Sequence, residues 1–244
     1  MDDRVFIVLG AGGGIGSATA RLLAARGARL LVAGRSAPSL SAVAEETGGL
    51  PYELDATSTS EVADAVGNAV DTFGRLDGIA NCVGSLLLKP AHITTDEEWS
   101  DTIATNLTSA FAVVKAGAKA MRSAGGSIVL VSSAAAQIGL ANHEAIAAAK
   151  AGVIGLTRAA AASYSRQGIR VNAVAPGLVR TKLTARLTSS PQAEQTSIAM
   201  HALGRVGEPE DVASAIAWLL DSDQSWVTGQ VIGVDGGLGS VRAR

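Results

Sequence analysis

The chain has 244 residues, enough for one large α/β domain or two small ones with a substantial core. Its formal net charge of −2, with lysine and arginine scattered along the chain, argues against binding to nucleic acid or to a membrane surface. A single cysteine, Cys82, excludes an intrachain disulfide, and no Cys/His cluster has the spacing of metal ligands. With no apolar run near the ~20 residues of a spanning helix and no signal-peptide pattern, we expect a soluble, cytoplasmic protein.

Short apolar runs alternate with longer helical stretches along the chain. The runs predict strands within 4–10, 29–35, 50–54, 76–84, 126–133, 169–177 and 229–237. Apolar spacing near 3.6 residues predicts helices at 15–27, 58–74, 97–123, 144–167 and 208–221. Strands that are apolar on both sides and separated by helices predict a doubly wound α/β fold with a mainly parallel seven-stranded sheet and helices on both faces. We expect one domain, 1–244, with the less regular 182–204 as a substrate-side insertion.

The first predicted strand runs directly into the glycines of Gly10-x-x-x-Gly14-x-Gly16, and a helical stretch follows. Glycine tolerates positive φ and lets backbone amides approach a pyrophosphate, and the helix that follows adds free N–H groups and the positive end of its dipole. A tight strand-to-helix turn is the structural alternative. The strand before the loop and the helix after it favour a dinucleotide site.

This glycine spacing resembles that of the short-chain dehydrogenase/reductase family, and further motifs follow in the family's order over essentially the whole chain. They are "DA" at 55–56, "NCVG" at 81–84, "RVNAVAPGLVRTKL" at 170–183, "GRVGEPEDVA" at 204–213 and "TGQVIGVDGG" at 228–237. The resemblance implies a Rossmann fold that binds a nicotinamide cofactor. The cofactor-binding residues it implies are Gly10, Gly12, Gly14, Ile15, Gly16, Arg35, Asp55, Ala56, Asn81, Gly84, Lys150, Pro176, Gly177, Val179 and Thr181.

The end of the second predicted strand bears on the choice of cofactor. An acidic residue there would accept hydrogen bonds from the ribose hydroxyls of NAD, whereas an arginine can pair with the 2′-phosphate of NADP. Gly34 occupies the acidic place and Arg35 follows it. We therefore expect NADP(H) to be favoured over NAD(H), although some family members that lack the acid use NAD, and Arg35 as a solvated surface residue is the alternative.

Three residues match catalytic positions of the family: Ser133 in "VLVSSAA", Lys150 in "AAAKAGV" and Asn106 in "TNLTSAF". In the family a serine polarises the substrate carbonyl, and a tyrosine four residues before the lysine transfers the proton. The lysine lowers the pKa of that tyrosine and binds the nicotinamide ribose. For Ser133 and Asn106, finishing the sheet and satisfying a backbone carbonyl are the respective structural alternatives.

The family's tyrosine is missing, because Ile146 stands four residues before Lys150 and thirteen after Ser133. An isoleucine cannot transfer a proton. The chain has only two tyrosines, Tyr52 in the third predicted strand and Tyr164, which lies about four helical turns beyond the lysine. Neither can take its place.

His143 is the leading candidate for a replacement proton donor, because an imidazole titrates near neutrality. If the helix already covers 143, His143, Ile146 and Lys150 project from one face. Two alternatives stay open. In the first, Asn142 is the N-cap, and it and the two residues after it, His143 and Glu144, only start a helix. In the second, a water molecule or a substrate group moves the proton. His92 and His201 are outside candidates.

We therefore expect an NADP(H)-dependent oxidoreductase that moves hydride between nicotinamide and a carbonyl or alcohol substrate. A non-catalytic cofactor-binding protein is the alternative from another class. Family chemistry that needs no tyrosine, such as isomerisation or elimination, is a third. The resemblance also implies a homodimer or homotetramer formed through the helices of 97–123 and 144–167.

Overall fold

The computed structural model describes residues 1–241 and contains one seven-stranded sheet. The strands are β1 (Val5–Leu9), β2 (Arg29–Gly34), β3 (Leu50–Glu53), β4 (Gly78–Asn81), β5 (Gly126–Val131), β6 (Ile169–Pro176) and β7 (Val231–Val234). Their order is β3-β2-β1-β4-β5-β6-β7, and every neighbouring pair is parallel. Each predicted run contains one strand, so the predicted sheet is confirmed.

Within residues 1–241, eight α-helices connect or flank these strands. They are α1 (Gly14–Ala25), α2 (Ala37–Thr47), α3 (Thr59–Phe73), α4 (Asp96–Ile103), α5 (Ser109–Ala120), α6 (Glu144–Tyr164), α7 (Pro191–Met200) and α8 (Pro209–Leu220). Helix α7 and a 3-10 turn, Ala185–Thr188, lie in the stretch 182–204, which is therefore more regular than its sequence predicts. Proline at its first position and the Ser190 side chain, which accepts from the Ala193 amide, define where α7 begins.

Successive residues of each strand point to opposite faces, which fills a core on both sides of the sheet. In β1, Val5, Ile7 and Leu9 pack in a cluster with side chains of α3, α5 and α6. Phe6 and Val8 pack on the other face, in a cluster with side chains of α1, α2 and α8. The near-continuous apolar strands of the sequence are explained by this burial on both faces.

The predicted helix 97–123 is interrupted. Its middle, Ala104–Thr108, adopts a π-helical turn between α4 and α5, and the buried side chain of Asn106 lies at the centre of that turn. The turn contains no glycine or proline that would mark an interruption, so the sequence predicts one helix here. Such bulges occur frequently at functional sites.

One sequence expectation about apolar length was wrong. Glu144–Gln167, which contains α6, is long and apolar enough to cross a membrane by length and composition alone, with a mean hydropathy of 1.3. Core helices of soluble proteins meet the same criterion. Here Val153, Ala160 and Ala161 of α6 belong to the core on one face of the sheet, which accounts for the apolar composition.

Candidate active site

The carboxyl ends of the parallel strands carry the predicted cofactor residues. At the end of β1, Gly10 has φ +74°, and a Cβ there would lie 2.8 Å from the backbone of Cys82. A Cβ on Gly16 would lie 2.1 Å from the Gly10 carbonyl oxygen. Only glycine fits either position, so these two close the turn. Because α1 begins at Gly14, the amides of its first turn have no intrahelical acceptor and are available to an anion.

Two adjoining cavities surround this turn, of about 300 and 500 Å³. Both contact Gly12, Gly13, Ser39, Cys82 and Gly84. The smaller one runs from the turn to the ends of β2 and β3, and the larger one runs towards Thr181 and Lys182. A Cβ on Gly14 would lie 2.8 Å from Thr181 Cγ2, so the fold brings the 176–181 segment directly over the glycine turn.

The smaller cavity ends at exposed Arg35 and two serines that the sequence analysis did not single out. Ser36 and Ser39 lie at the start of α2, with their hydroxyl oxygens 3.1 Å apart. Ser36 is the N-cap of α2, but its side chain makes no capping hydrogen bond. Among the described residues, Arg35 forms no ion pair within 4.0 Å. The guanidinium of Arg35, the hydroxyls of Ser36 and Ser39 and the amides at the start of α2 therefore lie at one end of the cavity.

Asp55 lines the same cavity, at the end of β3. Its Oδ1 accepts hydrogen bonds from the Thr57 amide and hydroxyl, both at 2.9 Å. These bonds hold the pKa of Asp55 below its usual value, with a smaller contribution from the charge of Arg35. Asp55 is thus a fixed carboxylate with Oδ2 remaining for a ligand. Ala56, beside it, is buried and lines the same cavity.

Asn81 is a structural residue in this protein. At the end of β4 it is buried, its Nδ2 donates to Ser109 Oγ at 3.4 Å, and its Oδ1 accepts from the Val83 amide at 3.2 Å. It thereby ties the loop after β4 to α5 and brings Gly84 into the cavity wall. The Asn81 side chain is thus occupied by protein contacts, and the part of Asn81 in cofactor binding stays a prediction.

Gly84 is the point where two predicted catalytic residues approach each other. A Cβ on Gly84 would lie 3.1 Å from Asn106 Oδ1 and 3.5 Å from Lys150 Nζ. Asn106 is fully bonded: Nδ2 donates to Ser85 Oγ at 2.9 Å and to the Thr102 carbonyl at 3.0 Å, and Oδ1 accepts from the Ser85 amide at 3.2 Å. The structural alternative for Asn106 is therefore realised, with Ser85 as a partner the sequence did not reveal.

Lys150 is a buried cation held at the carboxyl end of β5. Its Nζ donates to the Val131 carbonyl at 2.8 Å, and its own carbonyl accepts from Ser132 Oγ at 2.8 Å. The side chain makes no ion pair among the described residues, and burial lowers its pKa to about 8. An ammonium in this environment is stabilised by any ligand that offers it oxygen atoms.

Ser133 follows β5 in extended backbone and caps the 3-10 turn Ala134–Ala136. Its Oγ accepts from the Ala135 amide at 3.2 Å, which leaves the hydroxyl hydrogen to donate elsewhere. Because Val131 binds Lys150 two residues earlier, the serine and lysine belong to one site at the end of β5.

His143, rather than Asn142, is the N-cap of α6, which corrects the predicted N-cap, while the helix itself begins at Glu144 as predicted. Asn142 lies outside the helix at φ +63°, and its carbonyl accepts from the Lys89 amide at 2.8 Å. Asparagine is one of the few residues that tolerate this left-handed conformation. The backbone turn at Asn142 therefore helps to set the position of His143 at the start of α6.

The His143 ring has one nitrogen in use. Nδ1 lies 2.7 Å from the Ala141 carbonyl oxygen, and since a carbonyl only accepts, Nδ1 carries a proton. Nε2 has no hydrogen-bond partner among the described residues, so it can accept or deliver a proton. Ile146, one turn further into α6, is 3% exposed and has no proton to transfer.

The other two histidines do not face this site in the same way. His92 lies in the short 3-10 turn Ala91–Ile93 before α4 and is exposed. His201 is buried at the end of α7 with both ring nitrogens bonded to backbone groups, so it has no free nitrogen to serve a substrate. Of the three histidines, His143 alone combines partial burial with an open ring nitrogen at the start of the helix that carries Lys150.

The residues present fit a nicotinamide dinucleotide. The glycine turn offers backbone amides where any Cβ would collide, the cavities connect Arg35 to Thr181, and a desolvated lysine lies past Gly84. Pro176 and Val179 are buried at the end of β6 and in the loop after it, and Gly177 donates its amide to the Val234 carbonyl at 3.2 Å.

Known proteins match the chain over nearly its full length. A family model described as enoyl-(acyl carrier protein) reductase matches residues 10–239. The 3-oxoacyl-[acyl-carrier-protein] reductase FabG of Thermotoga maritima is 37% identical over 248 residues, with 98% of each chain covered. Cis-4-hydroxycyclohexanecarboxylate dehydrogenase of Sinomonas cyclohexanicum is 40% identical over 245 residues, again with 98% of each chain covered.

Solved structures agree with these relatives. A short-chain type dehydrogenase/reductase from Mycobacterium ulcerans superposes with a TM-score of 0.95 at 34% identity, covering 100% of this chain and 92% of that one. A variant of actinorhodin polyketide ketoreductase, solved with NADPH, gives a TM-score of 0.91 at 31% identity, with 98% of each chain covered. The chain is thus an NAD(P)-dependent oxidoreductase, and it belongs to the short-chain dehydrogenase/reductase family.

Proposed function

We propose that the protein is an NADP(H)-dependent oxidoreductase that moves hydride between the nicotinamide and a carbonyl or alcohol carbon. The bound cofactor supplies or takes up the hydride. The observation that carries the proposal is the buried Lys150, bonded to Val131 at the end of β5 and close to Gly84 of the cavity wall, with no carboxylate partner among the described residues. A buried ammonium with no anionic partner is costly to a fold, and a ligand in contact with it would account for its presence.

The proposed roles follow from the contacts. Ser133 donates its free hydroxyl hydrogen to the substrate oxygen. Lys150 binds the ribose next to the nicotinamide. Asn106 keeps Ser85 and the π-helical turn in place, which makes its part in the site one of positioning. The proton is exchanged through Nε2 of His143, and Ile146 takes no part beyond packing.

The proposal is tested by titrating the protein with NADPH and NADH while following nicotinamide fluorescence, and then by assaying NADPH consumption with a panel of aldehydes and ketones. We expect NADPH to bind and at least one carbonyl compound to be reduced. Binding without turnover on any compound would support the alternative of a non-catalytic cofactor-binding protein. If neither NADPH nor NADH bound, both the oxidoreductase proposal and the cofactor-binding alternative would be rejected.

NADP(H) preference is proposed from the positively charged cavity end, where Arg35, Ser36 and Ser39 would hold the 2′-phosphate. The relative solved with NADPH is in keeping with this preference. Asp55 and Ala56, which line the same cavity, would contact the adenosine. The sequence pattern around Gly34 and the geometry of the cavity point in the same direction.

A single substitution should reverse the cofactor preference. A Cβ on Gly34 would meet nothing closer than Leu40 Cδ2 at 3.7 Å, so Gly34→Asp fits without displacing neighbours. Its carboxylate would repel the 2′-phosphate and accept from the ribose hydroxyls of NADH. We expect the NADPH/NADH affinity ratio to fall about 100-fold, or some 3 kcal/mol. Gly34→Asn is the uncharged control, and an unchanged ratio in Gly34→Asp would place the 2′-phosphate elsewhere.

We also propose one cytoplasmic domain, with 182–204 on the substrate side, that assembles as a homodimer or homotetramer. Trp99 of α4 is 45% exposed and Phe111 of α5 is 49% exposed, on the helices expected to form the interface. Light scattering should give twice or four times the 24.5 kDa chain mass. A monomer at micromolar concentration would contradict the assembly, and Phe111→Glu should lower the mass because a buried charge opposes association.

A further inference from the structure

His201 is a buried histidine that the proposed reaction does not use. It follows the last residue of α7 and is 5% exposed. Its Nδ1 lies 2.7 Å from the Ser197 carbonyl oxygen, and its Nε2 lies 3.1 Å from the Leu178 amide nitrogen. Since the carbonyl only accepts and the amide only donates, the ring is neutral, with its proton on Nδ1.

The chain around the ring is shaped to admit it. A Cβ on Gly177 would lie 2.7 Å from His201 Nε2, closer than real Cβ atoms approach. On the other side, Gly236 has φ +59°, and a Cβ there would lie 3.4 Å from His201 Cβ. The Leu203 amide donates to the Gly236 carbonyl at 2.9 Å, which closes this side. The ring is therefore wedged between two glycines from different parts of the chain.

The segment Pro176–Thr181 is the element that the ring supports. Its other hydrogen-bonded amides use the backbone or a threonine: Gly177 donates to Val234 O at 3.2 Å, Arg180 to Gly207 O at 2.8 Å, and Thr181 to Thr184 Oγ1 at 3.1 Å. The Leu178 amide is the one that relies on an imidazole. Thr181 of this segment packs on Gly14 and lines the larger cavity, so the position of the segment affects the size of that cavity.

We propose that His201 is a positioning residue for the nicotinamide half of the cofactor. It holds the Leu178 amide, and through the Ser197 carbonyl it links the segment Pro176–Thr181 to α7. The inference rests on the proposed function, in which this segment contacts the nicotinamide half. His201 touches no reacting atom, so its removal should affect one half of the cofactor and leave the other half bound as before.

Two variants separate the two hydrogen bonds of the ring. In His201→Gln the side-chain oxygen reaches the place of Nε2 and keeps an acceptor for Leu178, whereas His201→Asn places its amide near Nδ1 and keeps only the donor to Ser197. Dissociation constants are measured for NADPH and for 2′,5′-ADP, which lacks the nicotinamide half. We expect His201→Asn to weaken NADPH binding about fivefold to tenfold, the contribution of one hydrogen bond, and His201→Gln to stay within about twofold of wild type. Binding of 2′,5′-ADP should be unchanged in both.

Hydrogen exchange of the Leu178 amide, measured without cofactor, gives a second readout. Exchange should be faster in His201→Asn than in wild type and close to wild type in His201→Gln. Equal weakening of NADPH and 2′,5′-ADP, or wild-type NADPH affinity in His201→Asn, would overturn the proposal. If wild type itself binds neither NADPH nor 2′,5′-ADP, the proposed cofactor is wrong and the positioning role is lost with it. Unchanged exchange of the Leu178 amide in His201→Asn would instead reject the role of His201 in holding that amide, and would leave the proposed cofactor standing.

Discussion

Replacing His143 with alanine should lower turnover about 10²–10⁴-fold, the usual contribution of a positioned acid or base. Ile146 cannot move a proton, and Nε2 of His143 is the open ring nitrogen at the start of the helix that carries Lys150. The His143 side chain makes no capping hydrogen bond to α6, so the variant should fold as wild type does. Carbonyl reduction is measured with saturating NADPH, and thermal unfolding is recorded for both proteins.

The matched control restores the phenol that the family uses. Ile146→Tyr, made in wild type and in His143→Ala, should bring turnover back to the alanine variant, because Lys150 and Ser133 are already in place beside that position. Ile146 is 3% exposed, so thermal unfolding must show that the larger ring is accommodated. Wild-type turnover in His143→Ala would contradict the histidine role and direct attention to a water or substrate group. Activity confined to Ile146→Tyr proteins would favour the non-catalytic alternative.

Replacing Lys150 with methionine should stabilise the cofactor-free protein and abolish most of its activity. Burial lowers the pKa of Lys150 from 10.5 to about 8, which means that folding disfavours the ammonium. A shift of this size corresponds to about 3 kcal/mol at pH 7, and losing the hydrogen bond to Val131 offsets about 1 kcal/mol of it. We expect a net gain of about 2 kcal/mol in the free energy of unfolding at pH 7.

The pH dependence of this gain has a definite sign. Below pH 8 folded wild type retains the ammonium and carries the whole cost of burying it. Between pH 8 and 10.5 the folded protein binds fewer protons than the unfolded chain, so wild-type stability rises by up to about 1.4 kcal/mol per pH unit. Wild type should therefore be about 2 kcal/mol more stable at pH 9.5 than at pH 7, which removes the advantage of Lys150→Met.

Urea unfolding at pH 7 and pH 9.5, without cofactor, measures both values. Lys150→Gln is the polar control, since it keeps a donor for Val131 without the charge. A Lys150→Met protein less stable than wild type at pH 7 would show that the ammonium is not desolvated. NADPH affinity of wild type should also fall as pH rises through about 8, because the ammonium that binds the ribose is then lost. The lysine thus opposes folding at neutral pH and supports ligand binding.

Local patterns were sufficient for the fold and for much of the cofactor site. Strands that are apolar on both faces and alternate with helices predict a parallel sheet with helices on both faces, and the structure has such a sheet. Gly16 was predictable because a Cβ there would collide with the Gly10 carbonyl oxygen within the same seven-residue turn, whereas the collision at Gly10 is with the backbone of Cys82, which is distant in the sequence. The absence of a phenol before Lys150 is likewise a property of the sequence alone.

Other features depend on contacts between distant residues. The π-helical turn at Asn106 is stabilised by hydrogen bonds between Asn106 and Ser85, 21 residues away, and no glycine or proline in the turn marks it in the sequence. Ser36 and Ser39 are unremarkable polar residues in the sequence and acquire significance where α2 begins beside the glycine turn. The N-cap of α6 is His143 rather than Asn142, because Asn142 lies outside the helix at φ +63°, where its carbonyl accepts from the Lys89 amide.

By itself the sequence determined that this chain forms a doubly wound sheet, that it carries a glycine turn for a dinucleotide and that it lacks the tyrosine of its family. Only the tertiary structure decided the chemical state of the groups in the site. Burial lowers the pKa of Lys150, and one carbonyl selects the protonated nitrogen of His143. Leu178 finds its acceptor in His201, 23 residues along the chain. Desolvation and hydrogen-bond partners are properties of the neighbours in space, and neighbours in space are not written in the order of the residues.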